Sequence, residues 1–214
     1  TMPGKIICIG CNYRDHARES GAQVPEEPVV FMKASNAFCG PYDDLIIPAG
    51  STSTDWEVEL AVILAERARL CATREEAARA IAGYAVANDV SERDYQKNHC
   101  GQWCKGKSCE TFAPVGPFCV TPDEVDAEKL AMSLHKNGEL KQDGNTSDMV
   151  FDPLALIQYL SGFMTLEPGD MIFTGTPAGV GAGRRPPEFL SEGDEVQCSI
   201  ETVGTQRRVC VREM

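Results

Sequence analysis

The sequence predicts a strand-rich α+β fold, and three kinds of pattern in its 214 residues indicate it. Short apolar runs rich in β-branched residues recur along the chain and are typical of buried strands. Only two longer segments carry the start and stop signals of helices. No repeat, low-complexity tract or linker separates these elements. We therefore predict one domain over residues 1–214, with Thr1 as an expression remnant ahead of Met2.

The first half of the chain is predicted to hold four strands and one helix. Residues 55–66 begin with strict alternation of polar and apolar side chains and continue as an apolar run, which predicts a long strand entering the core. The helix is indicated by Thr73 and Glu76, which form a capping box, and by Gly83 as its stop. In chain order, we predict strands at 5–10, 29–32, 55–66 and 84–89, and the helix at 72–84.

The second half of the chain combines a hairpin, a helix and closing strands. The dipeptide Asn137-Gly138 suits a type I′ turn, because both of its residues tolerate positive φ. Asp152 is a good N-cap, and Pro153 fits the first position of the helix that follows. In chain order, we predict the hairpin at 130–144, the helix at 152–163, a strand that runs into a glycine-rich loop at 169–183, and two strands at 193–213.

Composition excludes several classes of function. A formal net charge of −12 argues against a nucleic-acid partner, because phosphate backbones require clustered Lys and Arg. No apolar run approaches the ~18 residues that a membrane span needs. The ten cysteines are scattered, and no secretion signal accompanies them. We therefore expect reduced thiols in a cytoplasmic protein.

Two glycine motifs suggest nucleotide binding, but the residues around them argue against it. The segment "GQWCKGKS" at 101–108 matches a phosphate-binding loop, which requires a buried strand before it and a helix after it. Here a polar segment precedes the motif, and prolines follow it. The glycines of 179–183 follow a strand, yet no helix start succeeds them. Lys107 of the first motif is nevertheless kept as a candidate functional residue.

A group of carboxylates forms a candidate metal site. Glu57 and Glu59 are two residues apart on a predicted strand, so both project from one face, and Asp55 shares that parity. Asp89 lies at the polar end of the next predicted strand. Clustered carboxylates repel one another unless a cation, a proton or arginine compensates, and oxygen ligands suit Mg²⁺, Mn²⁺ or Ca²⁺. The alternative is an ordinary half-buried strand with Glu57 and Glu59 in solvent, which the pattern alone favours.

Histidines and cysteines suggest two further sites. His16 and Glu19 are three residues apart, so on a helix they are neighbours, and a carboxylate beside an imidazole raises its basicity and orients it as a general base. An exposed salt bridge is the alternative, which the spacing alone favours. Zinc binding by thiols is disfavoured because the short paired spacings of zinc modules are missing. The thiol segments considered are Cys8 with Cys11, and His99 with Cys100, Cys104 and Cys109.

Taken in order, these segments resemble the fumarylacetoacetate hydrolase family, specifically its single-domain acylpyruvase-like members. The matching stretches are "IGCNYRDHARESG", "PVVFMKASNAFCGP", "DWEVELAVIL", "GYAVANDVSERDYQ", "WCKGKSCETFAPVGP", "NGELKQDGNTSDMVF" and "GDMIFTGTPAGVG". The resemblance implies a mixed β-sandwich roll whose open mouth holds one divalent cation, Mg²⁺ or alternatively Mn²⁺ or Ca²⁺. It also implies a homodimer. Cys11 departs from the arginine or larger residue of many relatives.

The resemblance also implies a role for each motif residue. The cation ligands implied are Glu57, Glu59 and Asp89, whereas Asp55 matches no ligand. His16 and Glu19 fall on the family's lid segment as the catalytic pair. The remaining residues implied are Lys107 as the active-site lysine, Arg93 and Gln96 as substrate contacts, and Thr176 as a carboxylate-binding threonine.

The activity implied is hydrolysis of a carbon–carbon bond in a 2,4-diketo acid, which gives pyruvate and a carboxylic acid. The substrate is then a small anionic keto acid such as an acylpyruvate, with fumarylpyruvate or a diketo-deoxy sugar acid as variants. The same site could instead decarboxylate oxaloacetate or isomerise a hydroxymuconate. The His16–Glu19 pair favours hydrolysis, because those other reactions need a lid base less.

Overall fold

The computed structural model describes residues 2–213, so Thr1 and Met214 lie outside the described residues. It is a strand-rich α+β fold, as predicted. The strands are β1 (Ile6–Gly10), β2 (Val29–Lys33), β3 (Phe38–Cys39), β4 (Leu45–Ile47), β5 (Thr54–Asp55), β6 (Val58–Leu64), β7 (Ile81–Asn88), β8 (Ser91–Glu92), β9 (Ala113–Pro114), β10 (Ala131–Lys136), β11 (Glu139–Asn145), β12 (Met171–Phe173), β13 (Glu195–Ile200) and β14 (Gly204–Arg212). The helices are α1 (Arg14–Ser20), α2 (Arg74–Arg79), α3 (Arg93–Lys97), α4 (Trp103–Lys107) and α5 (Pro153–Phe163).

Two five-stranded mixed sheets form the body of the fold. The first has the order β2-β1-β12-β6-β7, with β1 and β12 parallel and the other neighbours antiparallel. The second has the order β11-β10-β13-β14-β4, with only β14 and β4 parallel. Strands β6 and β7 contact β13 of the opposite sheet, and the buried apolar residues form one cluster between the sheets. This arrangement is the predicted mixed β-sandwich roll.

Elements with strong local signals agree with their predictions. The hairpin of β10 and β11 turns at Asn137 and Gly138, whose φ values are 51° and 78°, as a type I′ turn requires. Helix α5 begins at Pro153, and the carboxylate of Asp152 accepts hydrogen bonds from the N–H groups of Leu154 and Ala155. Helix α2 begins with the predicted capping box of Thr73 and Glu76.

Two predicted elements differ from the structure. Residues 55–66 do not form one continuous strand, because the backbone N–H of Trp56 donates to the side chain of Asp55 and that of Glu57 to the side chain of Asn88. The stop at Gly83 is also wrong, because α2 ends at Arg79. Gly83 lies in β7, where a Cβ atom would come within 2.4 Å of the carbonyl oxygen of Val120.

The two glycine motifs lack the structure that nucleotide binding requires. Residues of "GQWCKGKS" form α4, and the segment before it is the end of α3 and a turn, not a strand. Gly181–Gly183 form a single 3₁₀ turn and not the start of a longer helix. In residues 2–213, no helix has both the length and the apolar character that crossing a membrane demands. All ten cysteines are free thiols.

Candidate metal centre and active-site cavity

The three predicted metal ligands come together because β6 and β7 are antiparallel neighbours. Val58 pairs with Asn88, which sets Glu57 opposite Asp89, and the N–H of Asp89 donates to the carbonyl oxygen of Glu57. Glu59, in β6, follows Glu57 by two residues, and its carboxylate joins the same group. Oxygens of the three carboxylates lie within 4.8 Å of one another, and all three residues are buried. The alternative of solvent-facing glutamates is therefore wrong.

Three cations surround this trio. Lys107 Nζ lies 2.6 Å from Glu57 Oε2 and 2.7 Å from Asp89 Oδ2. The second oxygen of Asp89 pairs with Lys33 Nζ, and that of Glu57 lies 2.7 Å from Arg93 Nη2. Lys33 is a site residue that the sequence analysis missed. Its only sequence signal is a lysine at the end of an otherwise apolar strand.

Burial and the neighbouring charges shift the pKa values of Glu57 and Glu59 in opposite directions. Burial disfavours the ionised form of Glu57, but the charges of Lys107 and Arg93 hold the pKa of its carboxyl well below the ordinary value. For Glu59, burial and the charges of Asp89 and Glu57 raise the pKa well above the ordinary value, although the charge of Lys107 opposes this shift. Burial alone disfavours the ammonium of Lys107, yet Asp89 and Glu57 raise its pKa.

The donor set fits a hard divalent cation. Three carboxylates supply oxygen ligands, and their oxygens lie close enough together to share one ion. Within residues 2–213, this trio is the only group of three or more acidic, histidine or cysteine side chains that could hold a metal ion. The thiol segments form no comparable group there, which argues further against zinc. Neither does Asp55 join the trio.

The His16–Glu19 pair lies on α1, at the side of the same cavity. His16 Nδ1 is 3.4 Å from Glu19 Oε2, so the predicted neighbours are in contact. Both side chains are mostly buried, at 14% and 21% exposure, which contradicts the alternative of an exposed salt bridge. Burial favours the neutral acid of Glu19, but hydrogen bonds from His16 and from Gly179 N–H hold its pKa below the ordinary value.

The predicted substrate contacts also line the cavity, although each already has partners in the protein. Arg93 donates through Nη1 to the side-chain oxygen of Gln96, at 3.1 Å. The hydroxyl of Thr176 donates to the carbonyl oxygen of Val58 and accepts from Gln142. A substrate carboxylate that binds the Thr176 hydroxyl must therefore compete with Val58 for its proton.

One cavity of about 460 Å³ unites these groups. All the predicted site residues line it except Asp89, which lies beneath the floor formed by Lys107 and Glu57. One wall is aromatic, with Phe31 and Trp103 in edge contact at 5.3 Å between ring centroids. Cys11, the departure noted above, also lines the wall, at a φ of 54°. The cavity thus brings a candidate base, a candidate cation site and polar substrate contacts together.

Comparison with known proteins identifies the family of this chain. Residues 5–211 match the family profile described as fumarylacetoacetate (FAA) hydrolase C-terminal. The chain belongs to the fumarylacetoacetate hydrolase family. Its members are enzymes, and the fold and acidic trio of this chain are in keeping with that membership.

Relatives within the family carry different activities in their names. The chain is 50% identical over 206 residues to oxaloacetate tautomerase FAHD2B, mitochondrial, of Bos taurus, covering 95% of this chain but only 65% of that protein. It is also 50% identical over 207 residues to 2,4-didehydro-3-deoxy-L-rhamnonate hydrolase of Sphingomonas sp. (strain SKA58), covering 96% and 72%. Among solved structures, fumarylacetoacetate hydrolase (EaFAH) from Exiguobacterium antarcticum superposes with a TM-score of 0.92 at 39% identity, covering 99% and 76%.

Proposed function

We propose that this chain is a divalent-metal-dependent hydrolase that cleaves a carbon–carbon bond in 2,4-diketo acids to give pyruvate and a carboxylic acid. The observation that supports the proposal is a carboxylate-oriented histidine on α1 lining the same cavity as the acidic trio. A bound cation would supply Lewis-acid stabilisation of the negative charge that develops on the substrate. Glu57, Glu59 and Asp89 would hold it.

Each polar side chain of the cavity has a separate role in the proposed reaction. Glu19 accepts the Nδ1–H of His16, which leaves Nε2 as the base that takes a proton from water. The resulting hydroxide oxygen bonds to the distal carbonyl carbon, whose oxygen takes up the charge that Lys107 stabilises. The bond between that carbon and C3 then breaks with its electron pair on C3, and the pyruvate enolate accepts at C3 the proton that His16 took from water. Arg93, Gln96 and Thr176 orient the substrate.

A second candidate is keto–enol tautomerisation of oxaloacetate. The relative named oxaloacetate tautomerase FAHD2B is 50% identical to this chain, the same identity as that of the rhamnonate hydrolase relative. Tautomerisation needs only proton removal from carbon and return to oxygen, and it needs no attacking water. His16 can serve as the base in both reactions. Oxaloacetate decarboxylation and hydroxymuconate isomerisation are further reactions that the same enolate-stabilising site could support.

A substrate panel with matched variants tests the proposal. Pyruvate release from acylpyruvates and diketo-deoxy sugar acids is measured beside the enol absorbance of oxaloacetate, with Mg²⁺ and with chelator. We expect His16→Ala to lower hydrolysis by roughly two to four orders of magnitude while cation binding persists. His99→Ala is the control, since His99 pairs with Asp94 outside the cavity. Full hydrolysis by His16→Ala would rule out the base, and tautomerisation without pyruvate release would favour the second candidate.

The family resemblance supports three accompanying proposals. We infer Mg²⁺ as the cation, with Mn²⁺ or Ca²⁺ as substitutes that the oxygen donors also suit. We also infer a homodimer and a cytoplasmic location. Metal analysis of the purified protein, sedimentation and cell fractionation are the respective measurements.

A further inference from the structure

Asp55 joins two parts of the cavity wall although it is not a metal ligand. Its carboxylate is completely buried. Oδ1 accepts hydrogen bonds from the backbone N–H of Trp56 at 2.8 Å and of Gly181 at 2.7 Å. Oδ2 accepts from Ala182 N–H at 2.9 Å and from Arg93 Nε at 2.8 Å. Asp55 therefore ties Arg93 to the loop that contains Gly181.

A second carboxylate, that of Glu19, also binds an N–H group of this loop, which comprises residues 178–183. Glu19 accepts from the N–H of Gly179, at 3.0 Å to Oε1 and 3.1 Å to Oε2. The indole N–H of Trp56 donates to the carbonyl oxygen of Gly179 at 3.1 Å. The loop is thus hydrogen-bonded both to Asp55 and Trp56 and to Glu19 of α1.

The glycines of the loop permit these close contacts. A Cβ atom at Gly181 would lie 2.6 Å from Asp55 Oδ1 and 1.9 Å from the carbonyl oxygen of Glu188. One at Gly183 would lie 2.7 Å from Glu19 Cδ. Gly179 adopts a φ of 105°, which strongly favours glycine. The motif that resembles a dinucleotide fingerprint instead presents its N–H groups to carboxylates of the protein itself.

We propose that Asp55 is a positioning residue that fixes, through the 178–183 loop, both Arg93 and the His16–Glu19 pair. Only one residue separates the N–H group that binds Glu19 from the first one that binds Asp55, so displacement of Gly181 shifts Gly179. A shift of Gly179 displaces the N–H donor that orients the carboxylate of Glu19 and, through it, His16. The relevance of this coupling to turnover rests on the proposed function, whereas the coupling itself does not.

Hydrogen exchange of single amides, followed by NMR in Asp55→Asn, tests the coupling. The amide side chain keeps the size of aspartate but offers one acceptor oxygen, so it cannot serve donors on both sides. We expect exchange at Gly181 and Ala182 to accelerate roughly tenfold or more, together with exchange at Gly179 and at the amides of α1. In Glu19→Gln, the reciprocal acceleration is expected at Gly181 and Ala182.

Asp170→Asn is the matched control. Asp170 is also a fully buried carboxylate that accepts two backbone N–H groups, those of Lys5 and Glu167, and pairs with the ammonium of Lys5. None of these contacts involves the 178–183 loop or α1. We expect its loss to lower stability without changing exchange in the loop or α1. If Asp55→Asn and Glu19→Gln each accelerate only their own contacts, or Asp170→Asn reproduces their pattern, the coupling is refuted.

Kinetics supply a readout that a purely structural role would not move. With an acylpyruvate that the wild type turns over, Asp55→Asn should lower kcat by roughly ten- to a hundredfold while the cation affinity changes less than about threefold. Equal losses of cation affinity and kcat would refute a positioning role. If the wild type hydrolyses no diketo acid, the proposed function fails, and the exchange experiment still decides the coupling.

Discussion

Lys107 Nζ contacts Glu57 and Asp89 at 2.6 and 2.7 Å and therefore takes the lone pairs that a cation would use. Removal of its charge should consequently strengthen cation binding even as it lowers turnover. We predict that Lys107→Met tightens Mg²⁺ or Mn²⁺ binding by roughly tenfold or more, because one positive charge leaves a buried site. Isothermal titration measures the affinity, and the rate of pyruvate release measures turnover.

Lys105→Met on the same helix is the control for that prediction, since Lys105 is exposed and donates to the carbonyl oxygen of His99. It should leave both the affinity and the rate unchanged. Weaker cation binding in Lys107→Met would show that the lysine supports the ligand geometry more than it opposes the cation.

Some residues of the site could be predicted from the sequence around them, and others could not. Alternation predicted that Glu57 and Glu59 share a face, and their carboxylates do converge, although Glu57 lies just before β6. Asp89 needed the family resemblance for its ligand role. Lys33 and Asp55 could not be assigned, because their partners lie 56 and 126 residues away. Such contacts depend on how the sheets and loops assemble, which no local pattern encodes.

At the scale of elements, the N-cap of α5 links one carboxylate to stability. Burial favours the neutral form of Asp152, but hydrogen bonds from Arg74 and from the N–H groups of Ala155 and Leu154 hold its pKa below the ordinary value. We predict that Asp152→Ala lowers the free energy of unfolding by about 1 kcal/mol, measured by urea denaturation at pH 7.

The same residue sets a pH dependence. Because the pKa of Asp152 is lower in the folded than in the unfolded state, its charge stabilises the fold fully above the unfolded pKa. This contribution is lost as the pH falls through the folded pKa. Asp152→Asn keeps a capping oxygen, so its stability should approach that of the wild type in acid and fall below it at neutral pH. A constant difference across that range would contradict the prediction.

Elements set by neighbouring residues could be predicted from the sequence, whereas the break between β5 and β6 could not. The capping box of α2, the Asn137-Gly138 turn and the cap of α5 are set by residues three or fewer positions apart. The break between β5 and β6 instead depends on Asn88, a residue of the neighbouring strand whose side chain accepts from Glu57 N–H. Alternation alone could not reveal that a side chain replaces the sheet bond at this position.

At the scale of the whole molecule, the sequence pattern predicted the class of fold but not the strand order. Strands β1 and β12 are parallel neighbours, although the paired residues Ile6 and Met171 are 165 positions apart in the chain. The candidate metal site lies on that sheet, and Glu59 also accepts a hydrogen bond from Gly175, just beyond β12. A cation held by the trio would therefore link β6, β7 and the segment after β12, so its binding should stabilise the native state as a whole.

That linkage predicts a thermal shift. A ligand that binds only the folded chain at a hundred times its Kd adds about 2.7 kcal/mol to the free energy of unfolding. For a protein of this size, the gain corresponds to a rise in Tm of about 5–10 °C. We expect Mg²⁺ or Mn²⁺ to produce this rise in differential scanning calorimetry and excess chelator to reverse it.

Glu59→Gln separates cation binding from general salt effects. Glu59 is held by the backbone N–H of Gly175 and not by a lysine, and burial with two neighbouring charges already raises its pKa. Its amide analogue should therefore cost the cation-free protein little stability, whereas Glu57→Gln would also weaken the ion pairs with Lys107 and Arg93. In Glu59→Gln, we expect a Tm close to that of the cation-free wild type and no rise on adding cation. A rise equal to that of the wild type would mean that the cation binds elsewhere.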